Sequence, residues 1–300
     1  MHLRIGFVIL FFASWSSLVY AQQVEREVLL KDIEYLSSEE LEGRKPMTEG
    51  SVKARQYLSE RFVSLGMTSQ FKDYTQSFPL FPREGGDVLG EGINVIGFIP
   101  GEETEKIIVI TAHYDHLGEV DGEIYLGADD NASGTAALLA LAAYFSENKP
   151  RHSMIFAALD AEEMGLQGAN ALVSDFPFPL NTVILNINLD MISKNERNEL
   201  YAVGTAHYPH LRPLLEAASK ETAIRLLFGH DKPGTDMQDW THSSDHAAFH
   251  EKGIPFVYFG VEDHEDYHKA TDTFERIDQD FYYQAVNLIL ACTIMLDREL

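Results

Sequence analysis

AALDAEEMGLQG, residues 157–168, joins a predicted buried strand to a predicted helix. The apolar run at 154–159 is typical of a buried strand, and the two glycines near the end of the quoted stretch indicate a tight turn into a helix. Glu162 and Glu163 therefore follow the carboxyl end of a strand, where ligands bind in open α/β sheets. Neighbouring side chains there point in different directions, so one glutamate can hold a metal while the other faces a reacting water. Taken alone, such an acidic run is more often a solvated loop.

The amino terminus has the pattern of a secretory signal peptide. Residues 1–21 contain one cation, Arg4, then an apolar stretch and the small-residue sequence Val-Tyr-Ala before Gln22. The apolar stretch is too short for a stable transmembrane helix. No cysteine near the junction offers a lipid attachment site. We therefore expect residues 22–300 to be exported to the periplasm or the medium as one domain without a membrane anchor.

Composition predicts a folded, strongly acidic protein. The chain has 300 residues, 45% of them hydrophobic, which is enough for a substantial core. Its 47 acidic and 23 basic residues oppose binding to nucleic acid. Cys292 is the single cysteine, so no intramolecular disulfide can form, and its apolar neighbours predict a buried, unreactive thiol. No pattern predicts an oligomeric state.

Strands and helices alternate along most of the chain. Apolar residues at helical spacing over 25–36 and 50–65 predict a helical lead-in with a polar loop between the two helices. Runs of apolar and β-branched residues predict strands at 71–81, 107–112, 154–159, 183–189, 200–203 and 255–259. Residues 83–92 are predicted as a turn-rich connector and 228–240 as a long loop. We predict an α/β fold, a single domain with a central, mostly parallel mixed sheet covered by helices on both faces.

Carboxylates and imidazoles follow several of the predicted strands. Parallel strands place their carboxyl ends on one rim, so these side chains can converge from distant positions. The convergent set comprises His113, Asp115, Asp160, Glu162, Glu163, Asp190 and the cluster 264–268, together with Asp129 and Asp130 before a helix. So many carboxylates would repel one another without a cation. The mixture suits zinc, and two ions roughly 3.5 to 4 Å apart would share a carboxylate and a water for hydrolysis.

These motifs resemble those of the secreted zinc aminopeptidases of the bacterial leucyl aminopeptidase type, which are related to glutamate carboxypeptidase. The resemblance covers about residues 33–300. It implies two zinc ions with the ligands His113, Asp130, Glu163, Asp190 and His268, of which Asp130 is the bridge. Asp129 could replace Asp130, and His116 or His264 could compete with His113 or His268.

The same resemblance implies the remaining site residues. Glu162 would be the general base, and Tyr267 would stabilise the oxyanion or pack beneath the neighbouring histidine. Asp115 would orient His113. Asp160 and Asp245 are expected to lie behind the ligands, although Asp245 and the following His246 could equally belong to a surface helix cap.

The predicted function is an exported zinc-dependent aminopeptidase. Glu162 would activate a water bound between the metals to attack the N-terminal peptide bond of a peptide with a free amine. A glutaminyl cyclase, which uses one zinc for acyl transfer, is an alternative, as is a binding protein on a decayed site. The runs DAEEMGLQGA at 160–169 and YHKATDT at 267–273 argue against the cyclase, and the filled ligand positions argue against decay. No motif predicts the preferred substrate side chain.

Overall fold

The computed structural model of the protein describes residues 23–220, 222–232, 234 and 237–300. The predicted signal peptide lies outside the described residues. The α-helices are α1 (Arg26–Leu36), α2 (Glu49–Ser64), α3 (Gly134–Glu147), α4 (Gln167–Ser174), α5 (Arg212–Ala218), α6 (His246–His250) and α7 (Gln279–Glu299). The strands are β1 (Thr75–Leu80), β2 (Gly90–Ile99), β3 (Glu103–His113), β4 (Gly118–Val120), β5 (Glu123–Tyr125), β6 (His152–Leu159), β7 (Val183–Leu189), β8 (Glu199–Val203), β9 (Arg225–Phe228) and β10 (Phe256–Gly260).

One large mixed sheet organises the described part of the chain. Its strand order is β1-β2-β6-β3-β7-β10-β8-β9. The central strands β6, β3, β7 and β10 are parallel to one another. β2 runs antiparallel to both β1 and β6, and β8 runs antiparallel to β10. The predicted mixed, mostly parallel sheet is therefore confirmed.

Helices cover both faces of this sheet. Along β3, Ile108 and Ile110 face the cluster that contains the buried faces of α1, α2, α3 and α7. Ile107 and Val109 face the opposite side, where they pack with residues of α4 and α6. This alternation is the period of an extended strand buried on both sides. Cys292, on α7, is fully buried.

One strand begins where the sequence predicted a connection, and another lies where no strand was predicted. β2 begins within the connector predicted at 83–92, and β9 ends at the first residue of the predicted loop 228–240. The glycines of β2 suggested turns, but their function is packing: a Cβ on Gly92 would lie 2.3 Å from Cζ of Phe78 on the neighbouring strand. The residue is therefore small because an aromatic ring crosses it.

The length and apolar content of the described helices can be compared with the thickness of a bilayer. None of the helices within the described residues combines the length and the apolar content that a bilayer crossing requires.

Candidate metal centre

The carboxyl ends of the central strands bring the predicted site residues to one rim. His113 is the last residue of β3 and aligns with Leu159 of β6, directly before the Asp-Ala-Glu-Glu run. Asp190 follows the last residue of β7. Asp130 lies in the segment that leads into α3, which packs against β3 and β7. The convergence expected from a parallel sheet is therefore present.

A first group of possible ligands surrounds His113. Its Nε2 atom lies 3.3 Å from Asp190 Oδ1 and 3.4 Å from Asp130 Oδ1. One potential ligand atom from each residue lies within 4.8 Å of the others, and all three residues are buried. The Nδ1 atom of His113 faces Asp115, 3.2 Å from its backbone oxygen. Burial acts to lower the pKa of His113, but the carboxylates of Asp190 and Glu162 hold it well above its usual value.

A second group shares the other oxygen of Asp130. Asp130 Oδ2 lies 3.1 Å from His268 Nε2 and 3.8 Å from His116 Nδ1. Glu163 Oε1 lies 3.0 Å from the same His116 atom and 3.4 Å from His268 Nε2. His116, Asp130 and Glu163 meet the same 4.8 Å condition as the first group. Two imidazoles therefore face Glu163, and Asp130 connects both groups.

Asp115 contacts the glutamate pair as well as His113. Its two carboxylate oxygens accept hydrogen bonds from the backbone N–H groups of Glu162 and Glu163, at 3.0 and 3.3 Å. One buried aspartate thus contacts a histidine from β3 through its backbone oxygen and holds the glutamate pair after β6 through its carboxylate. Burial raises the pKa of Glu162 well above its ordinary value, and the nearby Asp190 adds to the effect.

The two other predicted supporting aspartates differ from each other. Asp160 accepts hydrogen bonds from the N–H groups of Ile93 at 2.9 Å and Ala161 at 3.0 Å, so its carboxylate is directed to β2. Asp245 is fully buried, and neither of its carboxylate oxygens has a hydrogen-bond partner within the described part. Burial raises the pKa of Asp245 to about 7. Asp245 is therefore not a surface cap; it is a buried acid that interacts electrostatically with His113.

The alternatives Asp129 and His264 form a separate pair. His264 Nε2 lies 2.8 Å from Asp129 Oδ2. The other oxygen of Asp129 accepts hydrogen bonds from the N–H and hydroxyl groups of Ser193, both at 2.7 Å. Asp129 therefore fixes the segment after β7, while Asp130 is the aspartate beside His113.

Two supporting residues were missed by the sequence analysis. Asp272, in the run 267–273, accepts the backbone N–H groups of Asp129 and Asp130 and so fixes their orientation. Arg44, in the predicted polar loop of the lead-in, is completely buried. It donates to the carbonyl oxygens of Leu36, Tyr114, Leu126 and Gly127.

The burial of Arg44 could not be predicted from local sequence. Its guanidinium joins the end of α1 to Tyr114, beside His113, and to Gly127, three residues before Asp130. Burial lowers the pKa of Arg44 to about 10, although the surrounding carboxylates, Asp272 first among them, favour its charged form. An arginine in a polar, glycine-bearing loop has no neighbouring sequence feature that tells a buried side chain from an exposed one.

The two groups open into one cavity of about 460 Å³. Tyr267 lines it and also stacks on His268, with ring centroids 4.0 Å apart, so its ring supports the histidine while it borders the cavity. The described residues that line the cavity include His113, Asp130, Glu162, Glu163, Asp190, Met191, Gln238, Trp240, Tyr258, Val261, Asp263, Tyr267 and His268.

The donors present fit borderline divalent metal ions. Each group combines imidazole nitrogen with carboxylate oxygen, the set that zinc prefers where thiolates are absent. Buried carboxylates at these distances repel one another unless a cation or a proton compensates them. An α/β sheet with two such groups sharing one aspartate is the architecture expected of the zinc-peptidase class.

The chain belongs to peptidase family M28, whose family model matches residues 94–293. The matched range contains all five predicted ligands and Glu162. The expected resemblance to zinc aminopeptidases is therefore confirmed at the level of the family.

Named relatives agree with this placement. Aminopeptidase YwaD of Bacillus subtilis (strain 168) is 32% identical over 211 residues, which are 66% of this chain and 43% of that protein. Leucine aminopeptidase 2 of Trichophyton rubrum is 30% identical over 166 residues, 54% of this chain and 32% of that one. The chain thus spans less than half the length of these two relatives.

Solved structures share the fold. An aminopeptidase from Aneurinibacillus sp. strain AM-1 superposes with a TM-score of 0.72 at 17% identity, covering 91% of this chain and 94% of that one. The glutaminyl cyclase of Bacteroides thetaiotaomicron bound to N-acetylhistamine gives 0.71 at 19% identity, covering 90% and 97%. At these identities the likeness extends to the fold alone.

Proposed function

We propose that the protein is an exported zinc-dependent aminopeptidase that holds two zinc ions and removes the N-terminal residue of peptides. The observation that carries the proposal is the position of Asp130, whose two carboxylate oxygens lie beside separate imidazole–carboxylate groups. His113 and Asp190 would complete one zinc site, and Glu163 with His268 the other. Family membership and the aminopeptidase relatives support the reaction class.

The chain's own residues supply the proton transfers. Zinc bound here would acidify a water and polarise the scissile carbonyl. Glu162, which lines the cavity beside both groups, accepts a proton from the attacking water and returns it to the leaving amine. The Tyr267 hydroxyl donates a hydrogen bond to the carbonyl oxygen as negative charge develops on it. The acidic lining favours a substrate with a free ammonium group.

Export rests on the signal-like pattern of residues 1–21. Amino-terminal sequencing of the protein recovered outside the cytoplasm would test it. Cleavage after Ala21 is expected, whereas an intact amino terminus would contradict it.

A glutaminyl cyclase and a binding protein on this scaffold remain the competing functions. Zinc content and a peptide panel separate all three. Two zinc ions per chain with cleavage of unblocked but not N-acetylated peptides support the aminopeptidase. One zinc with cyclisation of N-terminal glutamine would support the cyclase, and a metal-free, inactive protein would support the binding protein.

Removal of zinc by a chelator is expected to abolish activity and to lower the melting temperature. The buried carboxylates of Asp130, Glu163 and Asp190 lose their counter-charge, so the folded state is destabilised relative to the unfolded chain. Zinc at about one hundred times its dissociation constant adds roughly 2.7 kcal/mol per site to the free energy of unfolding. In a chain of this size that raises the melting temperature by several degrees.

Differential scanning fluorimetry before and after dialysis against chelator, followed by zinc readdition, measures this effect. The Asp130→Asn variant is the matched control, because it removes the shared ligand and should respond little to zinc. An unchanged melting temperature in the unsubstituted protein would contradict the proposed sites.

The His116→Gln variant is expected to weaken zinc binding at the second group by roughly 10- to 100-fold, the usual effect of losing a residue that orients a ligand. His116 Nδ1 lies 3.0 Å from Glu163 Oε1, close enough to orient that carboxylate or to bind the same metal ion. A competition titration with a chromogenic chelator measures the change. His264→Gln, which alters the histidine paired with Asp129, should leave both zinc affinities nearly unchanged. Equal effects of the two substitutions would show that His116 has no specific part in the site.

A further inference from the structure

The proposed active-site cavity is lined by one arginine among many acidic residues. Among the described residues that line it, Arg83 is the single lysine or arginine, beside the carboxylates of Asp130, Glu162, Glu163, Asp190 and Asp263. No hydrogen bond or ion pair with another described residue engages the Arg83 guanidinium. Other arginines of this protein have carboxylate partners, as Arg276 has with Glu265. Arg83 therefore offers its donors to the cavity rather than to the protein.

The backbone before Arg83 is held in a defined position. In the connection between β1 and β2, Phe81 N–H donates to Gln167 Oε1 at 2.9 Å, and Gln167 Nε2 donates to Phe81 O at 2.8 Å. A turn follows, closed by the hydrogen bond from Gly85 N–H to Pro82 O at 2.9 Å. Arg83 lies within that turn, so the position of its backbone relative to Gln167, the first residue of α4, is fixed by these hydrogen bonds.

The side chain then extends over the glutamate loop. Cγ of Arg83 would lie 4.0 Å from a Cβ built on Gly165, so the aliphatic part of the side chain lies on the side of this glycine that a Cβ would occupy. Gly165 is separated from Glu163 by a single residue. Arg83 thus borders the same cavity as the proposed zinc ligands, on the side that Gly165 and Leu166 also line.

We propose that Arg83 binds a substrate carboxylate, and that the enzyme prefers short peptides whose free C-terminus reaches this arginine. This inference rests on the proposed aminopeptidase function. The substrate ammonium is attracted to the acidic cluster, which repels a carboxylate from the rest of the cavity. Arg83 is the one arginine or lysine among the described lining residues, and a guanidinium binds a carboxylate through two parallel hydrogen bonds.

The same chemistry could recognise an acidic side chain instead of the C-terminus. Three substrates separate these two sources: a dipeptide with a free carboxylate, its carboxamide, and the carboxamide of a dipeptide whose second residue is aspartate. The first residue is the one that the unsubstituted enzyme cleaves best in the peptide panel.

Arg83→Met is expected to lower kcat/KM for the free dipeptide by roughly tenfold or more, the usual effect of losing a hydrogen bond to a charged group. The carboxamide should change less than about threefold, because it carries no charge for Arg83 to bind. Arg83→Lys should recover part of the loss, since it keeps the charge but not the bidentate geometry. Preference for the free dipeptide should also fall as salt is raised.

Arg212→Met is the matched control, because Arg212 is exposed on α5 and pairs with Glu216 away from the cavity. It should leave all three substrates unaffected. Selective loss on the aspartyl carboxamide alone would overturn the C-terminal assignment in favour of a side-chain carboxylate. Equal losses on all three substrates would overturn carboxylate recognition while leaving the aminopeptidase intact. Failure of the unsubstituted, zinc-loaded protein to cleave any peptide would overturn both proposals.

Discussion

The Glu162→Gln variant is expected to keep its fold and its zinc while kcat falls by roughly a thousandfold or more, the upper range for loss of a general base. Glutamine has nearly the same shape as glutamate but cannot accept a proton from water at neutral pH. Neither of the two possible metal groups includes Glu162. Its backbone is fixed by the hydrogen bond to Asp115, which the substitution does not remove.

The neighbouring Glu163→Gln variant is the control that separates a base from a ligand. Glu163 accepts from two imidazoles, and the hydrogen bonds from His116 and His268 outweigh burial and hold its pKa below the usual value. Its substitution should release zinc from one site, whereas Glu162→Gln should not. Zinc analysis by atomic emission and steady-state kinetics on unblocked peptides measure the contrast. Near-normal kcat in Glu162→Gln would remove this residue from the mechanism, and loss of zinc would make it a ligand.

The gathering of the site residues could be predicted from sequence because it depends on one topological rule. His113, the glutamate pair and Asp190 each follow a run of apolar residues long enough to be recognised as a buried strand. Once those strands are placed parallel and adjacent, their ends must share a rim. The order β6-β3-β7-β10 satisfies this condition.

The sheet's antiparallel edge could not be predicted in the same way. β2 contains Gly90, Gly92 and Gly97, and local patterns treat glycine as a sign of turns. All three glycines make room for side chains from elsewhere: Met47 for Gly90, Phe78 for Gly92, and Met67 with Phe62 for Gly97. Such packing depends on partners distant in sequence, which a local window does not contain.

The sequence also could not determine which of two adjacent acidic residues lies in the metal centre. Asp129 and Asp130 are adjacent acids of identical local character. Only the fold shows that Asp129 is occupied by Ser193 and His264, and that Asp130 faces His113. His116, expected as a rival of His113, instead lies beside Glu163, the carboxylate that His268 also faces.

The second large effect is expected at Arg44, far from the cavity in sequence. Arg44→Met should lower the free energy of unfolding by roughly 4 kcal/mol, because its hydrogen bonds to four buried or partly buried carbonyl oxygens are lost. Methionine fills much of the volume but leaves four carbonyl oxygens without their shared donor, each at a cost of about 1 to 3 kcal/mol that does not add fully. Typical stabilities are about 5 to 15 kcal/mol, so this loss would be a large fraction of the total.

The loss should extend to the metal centre, because the carbonyls that Arg44 holds belong to the ligand-bearing segments. Tyr114 follows His113, and Leu126 with Gly127 precedes Asp130. The segment around Arg44 has little space to readjust, since a Cβ on Gly43 would lie 2.2 Å from Tyr125 O. We therefore expect Arg44→Met to weaken zinc binding as well as to destabilise the apoprotein. The stability and zinc affinity of Arg44→Lys should lie between those of the unsubstituted protein and Arg44→Met, because one ammonium cannot reach all four acceptors.

Urea denaturation of the apoprotein and chelator competition of the folded variants measure these two effects separately. Arg212→Met is again the control, since an exposed helical pair contributes only about 0.3 to 0.5 kcal/mol. If Arg44→Met is as stable as this control, the buried guanidinium contributes no net stability. If it loses stability but binds zinc normally, Arg44 supports the lead-in alone. Loss of both would show that the helical lead-in and the two ligand segments depend on a single buried arginine.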